Sequence, residues 1–160
     1  MRWFDPLEMA NEGAGAEPSA AAGAGATITG VVAAAHVRQD MQLRIEAREV
    51  RFDEDHRWLR EPAELVRVAL ERGGFSNAGR IGQVRVELTA FELVLPQSSA
   101  PPMARIAVEL APAAPSELPI REPRVEVVQA ATDDSIEALV AAMAMALSAL
   151  PDRVRAALDR

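Results

Sequence analysis

Residues 82–95 read "GQVRVELTAFELVL". Apolar and polar side chains alternate along it for longer than in any other segment, which is the pattern of a strand with one buried face. Val84, Val86, Leu88 and Ala90 share one parity, whereas Phe91, Leu93 and Leu95 take the other. A slip of one residue turns every later side chain to the opposite face, so both sets reach one core only if an extra residue intervenes. We therefore expect a bulge at Ala90–Phe91.

The same reading carries along the chain. "MQLRIEAREVRF" (41–52) alternates on Met41, Leu43, Ile45 and Ala47, then changes parity at Val50 and Phe52. That change calls for a bulge near Arg48–Glu49 or a break into two strands. "MARIAVEL" (103–110) alternates on Ala104, Ile106, Val108 and Leu110, and "IREPRVEVVQ" returns after a turn, with Pro123 favouring an edge or an irregular start. "ATITGVVAAAHV" (26–37) is a further strand candidate, interrupted by Gly30, and "RWFDP" (2–6) is a short strand ended by Pro6. "EPAELVRVALERGG" (61–74) is a helix, with Pro62 in its first turn, Leu65, Val66, Ala69 and Leu70 as its buried stripe, and Gly73–Gly74 as its stop. From Ser135 to Leu158 apolar residues recur every three or four positions. Asp134 with Glu137 forms a candidate capping box, and Pro151 should kink this helix or start a second one. Residues 7–26 are rich in Ala and Gly and are read as a flexible linker or loop. The order of strands, helix, meander and helix gives a single α+β domain over 1–160: an antiparallel (mixed) sheet with two main helices on one face.

Charge and composition narrow the function. A net charge of −7, without a basic stripe interleaved with aromatics, argues against a nucleic-acid partner. All 17 basic residues are arginine, scattered along the chain. Cysteine is absent, so these residues form neither disulfide nor thiolate metal site. No stretch approaches the roughly 18 apolar residues of a spanning helix. "RWFDP" directly after Met1 lacks the charged start and apolar run of a signal peptide, so either the protein is cytosolic or the numbering begins inside a mature chain.

The densest polar run is "DEDHRWLREP" (53–62). Asp53, Glu54, Asp55 and His56 could in principle bind metal or move protons. Neighbours on extended backbone point to opposite faces, however, so at most two converge locally. The other histidine, His36, lies in a different segment, and neither the spacing of a calcium loop nor a "GxSxG" nucleophile motif occurs. "GAGAEP" and "GAGATITG" lack a strand–turn–helix setting for phosphate binding. No cofactor, metal or catalytic residue is assigned. Trp58, a few residues before a helix start, is read as sealing the sheet–helix junction, with a partner-binding surface as the alternative. Arg57 and Arg60 would pair with the preceding acids. Asp55, Arg57, Trp58 and Pro62 are thus the candidate residues of a structural corner or partner contact. Met143 and Met145 fall on opposite sides of the last helix, as core filler and surface.

These segments together resemble a known family. "MQLRIEAREVRFDEDHRWLREPAELVRVAL", with Arg57, Trp58 and Pro62 at its corner, resembles the ABC-type transport auxiliary lipoproteins, the PqiC-like, DUF330-type family. "VRVELTAFELV" (84–94), the closing helix "DSIEALVAAMAMALSALPDRV" (134–154) and "RWFDP" are similar to that family's motifs in the same order, so the likeness spans 2–6 and 26–158. The resemblance implies a periplasmic lipoprotein, anchored in the outer membrane by an acylated N-terminal cysteine. Its partners would be an MCE-domain protein and ABC transporter subunits that move lipid between membranes. This sequence departs from the family in having no cysteine and no lipobox. The expected function is a non-enzymatic accessory subunit. A module holding a phospholipid or other lipid beside Ala141, Ala142, Ala144, Ala146 and Ala149 is the alternative, and a hydrolase using Asp55 and His56 comes behind it. An exposed sheet edge near Arg121–Pro123 leaves a homo-oligomer open as well.

Overall fold

The long alternation forms one strand in the computed structural model, which describes residues 1–13, 27–45, 49–75, 83–96, 99–113, 120 and 123–159, with the backbone alone for 10–13. In chain order the elements are β1 (Arg2–Phe4), α1 (Pro6–Gly13), β2 (Thr27–Ala33), β3 (Asp40–Ile45), β4 (Glu49–Trp58), α2 (Pro62–Arg72), β5 (Gln83–Leu95), β6 (Met103–Pro112), β7 (Arg124–Ala130) and α3 (Ile136–Leu158). The seven strands make one mixed sheet in the order β1-β4-β3-β5-β6-β7, with β2 also paired to β5. The α+β architecture expected from the sequence is the one observed.

β5 is the axis of the sheet. β6 runs antiparallel along it from Val84 to Val94 and occupies one edge completely. On the other edge β2 and β3 lie end to end, both parallel to β5: Ala33 is level with Leu88 and Gln42 with Glu92. The chain spends more residues between Ala33 and Gln42 than β5 does between Leu88 and Glu92, so it loops outward, and His36 Nε2 sits 2.9 Å from the Thr89 carbonyl oxygen. The β5–β6 register shifts between Leu88 and Ala90, which makes Thr89 the extra residue. The expected bulge exists, one residue earlier than alternation placed it. Alanine fits either face, so Ala90 gave the parity reading no purchase at that position.

Because of that bulge, Val84, Val86, Leu88, Phe91 and Leu93 all reach the same core, where each is buried. α2 buries Leu65, Val66, Ala69 and Leu70 as its stripe predicts. α3 contributes Leu139, Val140, Met143, Leu147, Leu150 and Val154, and Met145 on its other side is exposed. α3 lies on β6 and β7, α2 on β2, and the two helices touch each other, with α1 packed against α3. No helix among the described residues is long and apolar enough to cross a membrane.

Two expectations change and two open alternatives are resolved. Residues 41–52 break into two strands, β3 and β4, which is one of the two outcomes the parity change allowed. The segment read as a linker from residue 7 opens as α1, started by Pro6 and capped by Asp5, whose Oδ1 accepts the Leu7 N–H at 3.0 Å; residues 14–26 lie outside the described residues. α3 is capped by Ser135, whose hydroxyl oxygen accepts the Ala138 N–H, and not by an Asp134–Glu137 box. Finally, of the kink or second helix expected at Pro151, the second helix is excluded: α3 is continuous through it. Pro151 is buried there against the end of α2: a Cβ on Gly73 would stand 2.2 Å from Pro151 Cβ. The helix loses one hydrogen bond at the proline and gains a close helix–helix contact. Arg155 locks the same junction by donating from NH2 to the Gly73 carbonyl oxygen at 2.6 Å, its guanidinium lying 5.4 Å from the Phe75 ring centroid.

Gly73→Ala forces the two helices apart and should cost about 1–3 kcal/mol in urea unfolding. Gly30→Ala, whose Cβ meets nothing within 4 Å, serves as the control and should shift stability by less than about 0.5 kcal/mol. Equal effects at the two positions would refute the close α2–α3 contact.

Candidate functional site

The run "DEDHRWLREP" begins as an excursion from the β3–β4 ladder. Gln42 is level with Phe52 and Asp40 with Arg57, so Asp53–His56 exceed what β3 can pair. Asp53 holds the excursion together. Its Oδ1 accepts the Asp55 N–H at 2.9 Å and the His56 N–H at 3.2 Å, and its Oδ2 lies 2.8 Å from His56 Nδ1. Burial pushes the Asp53 carboxyl up, but the His56 ring, the backbone N–H groups and the imidazole charge together hold it below the ordinary aspartate range. Glu54 and Asp55 are exposed. Among the described residues no three His, Cys, Asp or Glu side chains are grouped to hold a metal ion.

The second half of the run fixes the corner. Trp58 is fully buried and meets Phe91 edge to face, centroids 5.1 Å apart. The ring therefore packs in the core against β5, and such a pair adds about 0.5–1.5 kcal/mol beyond area burial. Its backbone N–H donates to the Gln39 carbonyl oxygen, and that of Leu59 to the carbonyl oxygen of Phe4, tying β4 to its neighbours on both sides. Trp58 Nε1 is buried and has no partner among the described residues. Pro62 is buried as the first residue of α2. The arginines do not take the preceding acids. Arg57 Nε lies 2.9 Å from Asp40 Oδ1, an ion pair whose N–H is not aligned on the oxygen, and Arg60 Nε donates to Asp5 Oδ2 at 2.9 Å. The side chain of Asp5 is almost fully buried, so it caps α1 with one oxygen and anchors Arg60 with the other. Sequence reasoning passed over Asp5, although an Asp-Pro pair between a strand and an apolar run is a helix-start signal.

Beside the corner lies the open face of the sheet, away from the helices. Cross-strand pairing sets Phe52, Gln42, Glu92, Arg105 and Val128 in one row across β4, β3, β5, β6 and β7. Glu92, 1 % exposed, is the buried centre of that row. Arg44 Nε donates to its Oε1 at 2.7 Å and Arg105 NH1 to the same oxygen at 2.6 Å, while Arg105 Nε reaches Glu126 at 2.6 Å. Burial pushes the Glu92 carboxyl up, but the two guanidinium groups overcome this and hold it below the ordinary glutamate range. Gln42 donates to the His36 carbonyl oxygen, closing the network on the looped segment. Around these satisfied charges stand exposed apolar side chains: Phe52, Val50 and Val128 on this face, with Trp3 level with Arg57 at its margin and Leu59 at the corner. Exposed aromatic side chains such as Phe52 and Trp3 are of the type enriched at contacts between proteins.

No family model and no curated protein matches the sequence. Solved structures do match in fold. Protein XCC0632 from Xanthomonas campestris, of the DUF330 family, superposes with a TM-score of 0.62 over 83 % of each chain at 16 % identity. An uncharacterized protein gives a TM-score of 0.58 at 10 % identity, over 81 % of this chain and 88 % of its own. The fold is thus that of a DUF330-family structure, in line with the resemblance read from the motifs.

Since the folded pKa of Glu92 lies below its unfolded value, its contribution is whole above the ordinary glutamate range and is lost as pH falls through the depressed value. Glu92→Gln should cost about 2–4 kcal/mol at neutral pH, because two partly buried guanidinium groups lose the buried anion they share, Arg105 keeping only Glu126 at the surface. The variant should also lose less stability than the parent between neutral pH and pH 3, measured by urea unfolding across that range. Parallel pH profiles would show that Glu92 is not the linked group.

Proposed function

We propose that the protein is a non-enzymatic accessory subunit of an ABC-type, MCE-associated system that moves lipid between membranes, docking the transport machinery in the periplasm at the outer membrane. The observation that carries the proposal is the corner itself. Asp5, Asp40, Asp53, Arg57 and Arg60 are each engaged with one another or with His56, so the surface they support is stiff. What that surface offers a partner is the exposed side chains of Trp3, Phe52 and Leu59. Large apolar and aromatic side chains on a stiff, charge-satisfied support are typical anchors of protein–protein contact. The choice of an MCE-domain partner rests on the order of family-like motifs and on the shared fold.

The alternative, an acyl chain held between sheet and helix, gains no observation of its own. Ala142, Ala144 and Ala146 are buried within α3's packed side, and the small side chains serve a close helix–sheet fit.

Association with the MCE-domain protein tests the proposal. The tagged protein, solubilised from its own envelope, should co-purify with that partner. The double variant Trp3→Ala, Phe52→Ala should weaken capture at least about tenfold while leaving thermal unfolding within a few degrees, since both residues are about half exposed. Absence of the partner from the parent pull-down would overturn the assignment. Unchanged capture by the variant would remove this surface from it.

A further inference from the structure

Among the described residues the sheet has three edge strands, and they differ in how they are protected. β1 is three residues long and ends against Pro6. β7 follows Pro123 and carries Arg124 and Glu126. β2, "TITGVVA", has no charge and no proline, and most of its residues are β-branched. Short length, charge and proline are the devices that keep an edge from pairing with another chain. β2 has none of them beyond a register shift at Thr29, which leaves Gly30–Ala33 regular.

The place beside β2 is a notch in the sheet. β2 and β3 lie end to end along β5; β4 covers the outer side of β3, whereas no strand among the described residues covers the outer side of β2. α2 packs on β2 at this edge. Between strand and helix runs a cleft of about 70 Å³, with Thr29 and Gly30 on one side, Leu70 and Phe75 as its floor, and Arg67 paired to Glu71 at its rim. Gly30 has no positive φ, and a Cβ at its position would meet no atom within 4 Å, so nothing within the described chain requires glycine there. Glycine inside a strand weakens it and often marks a close approach of another backbone.

We propose that β2 and α2 form a strand-addition site, taking an extended, uncharged segment of a partner protein along Gly30–Ala33 with a small apolar side chain seated in the cleft. The occupant is uncharged because β2 is, and because Arg67 and Glu71 neutralise each other at the rim. A second copy of this chain is a poor fit. Antiparallel pairing of two β2 edges would set two α2 helices over strands about 4.8 Å apart, whereas packed helix axes need about 8–10 Å. An extended segment without a helix of its own fits, the recognition mode in which backbone hydrogen bonds give affinity and a side-chain pocket gives choice. The site is separate from the corner and does not depend on the transport proposal.

Amide hydrogen exchange of the full chain tests it, with and without a blocked Thr-Val-Ala-Val-Thr peptide at about 1 mM, a concentration suited to weak strand addition. Outward amides within Gly30–Ala33 should exchange fast in the protein alone and slow at least about tenfold with peptide. Thr29→Arg, an exposed position at the cleft, should abolish the slowing with the melting temperature little changed. Protection in the protein alone overturns the proposal: if independent of concentration, the chain covers its own edge, and if rising with concentration, a second copy does. Absence of slowing with the peptide, or slowing that survives Thr29→Arg, overturns it too.

Discussion

The extra residue at Thr89 is what lets both halves of β5, the strand at the axis of the sheet, face one core. Before it, β5 sends Val84, Val86 and Leu88 toward the helices; after it, Phe91 and Leu93. Without the bulge Phe91 would face solvent and Glu92 would enter the core, leaving Trp58 without its edge-to-face partner and a carboxylate among leucines. With it, Glu92 comes to the open face, where Arg44 and Arg105 reach it from the neighbouring strands. The outward loop between β2 and β3 sits at the same level, its His36 ring on the Thr89 carbonyl oxygen. An insertion in one strand is thus answered by a longer one in its neighbour.

What the sequence made legible follows from periodicity. β5, β6, α2 and α3 were readable because many side chains vote on each period, so their buried faces came out as expected. Errors fell where one or two residues decide. The position of the β5 bulge, the Ser135 cap and the absence of a second helix start at Pro151 each depend on a single local choice. Pro151 shows why: its cost is local and visible in sequence, whereas its compensation comes from Gly73, at the far end of another helix, and only the fold brings the two together.

The corner was half legible for the same reason. Trp58 and Pro62 could be placed, since a large ring before a helix start has few other uses. The partners of Arg57 and Arg60 could not, because sequence neighbours offered three acids and the fold offered Asp40 and Asp5 instead. Asp53 was already committed to its own turn. Glu92 went unremarked because a glutamate at a polar parity position looks solvated; its burial depends on arginines at matching positions of β3 and β6, a coincidence of register.

These pairings also bear on what remains to do work. With a net charge of −7, a surface of free carboxylates would repel most partners in the same way everywhere and select none. Instead, Asp5, Asp40 and Glu92 are paired with arginines and Asp53 with His56, while Glu54 and Asp55 stay exposed. On the proposed roles, selection of a partner falls to exposed rings such as Trp3 and Phe52 and to the uncharged backbone edge of β2, neither of which depends on net charge.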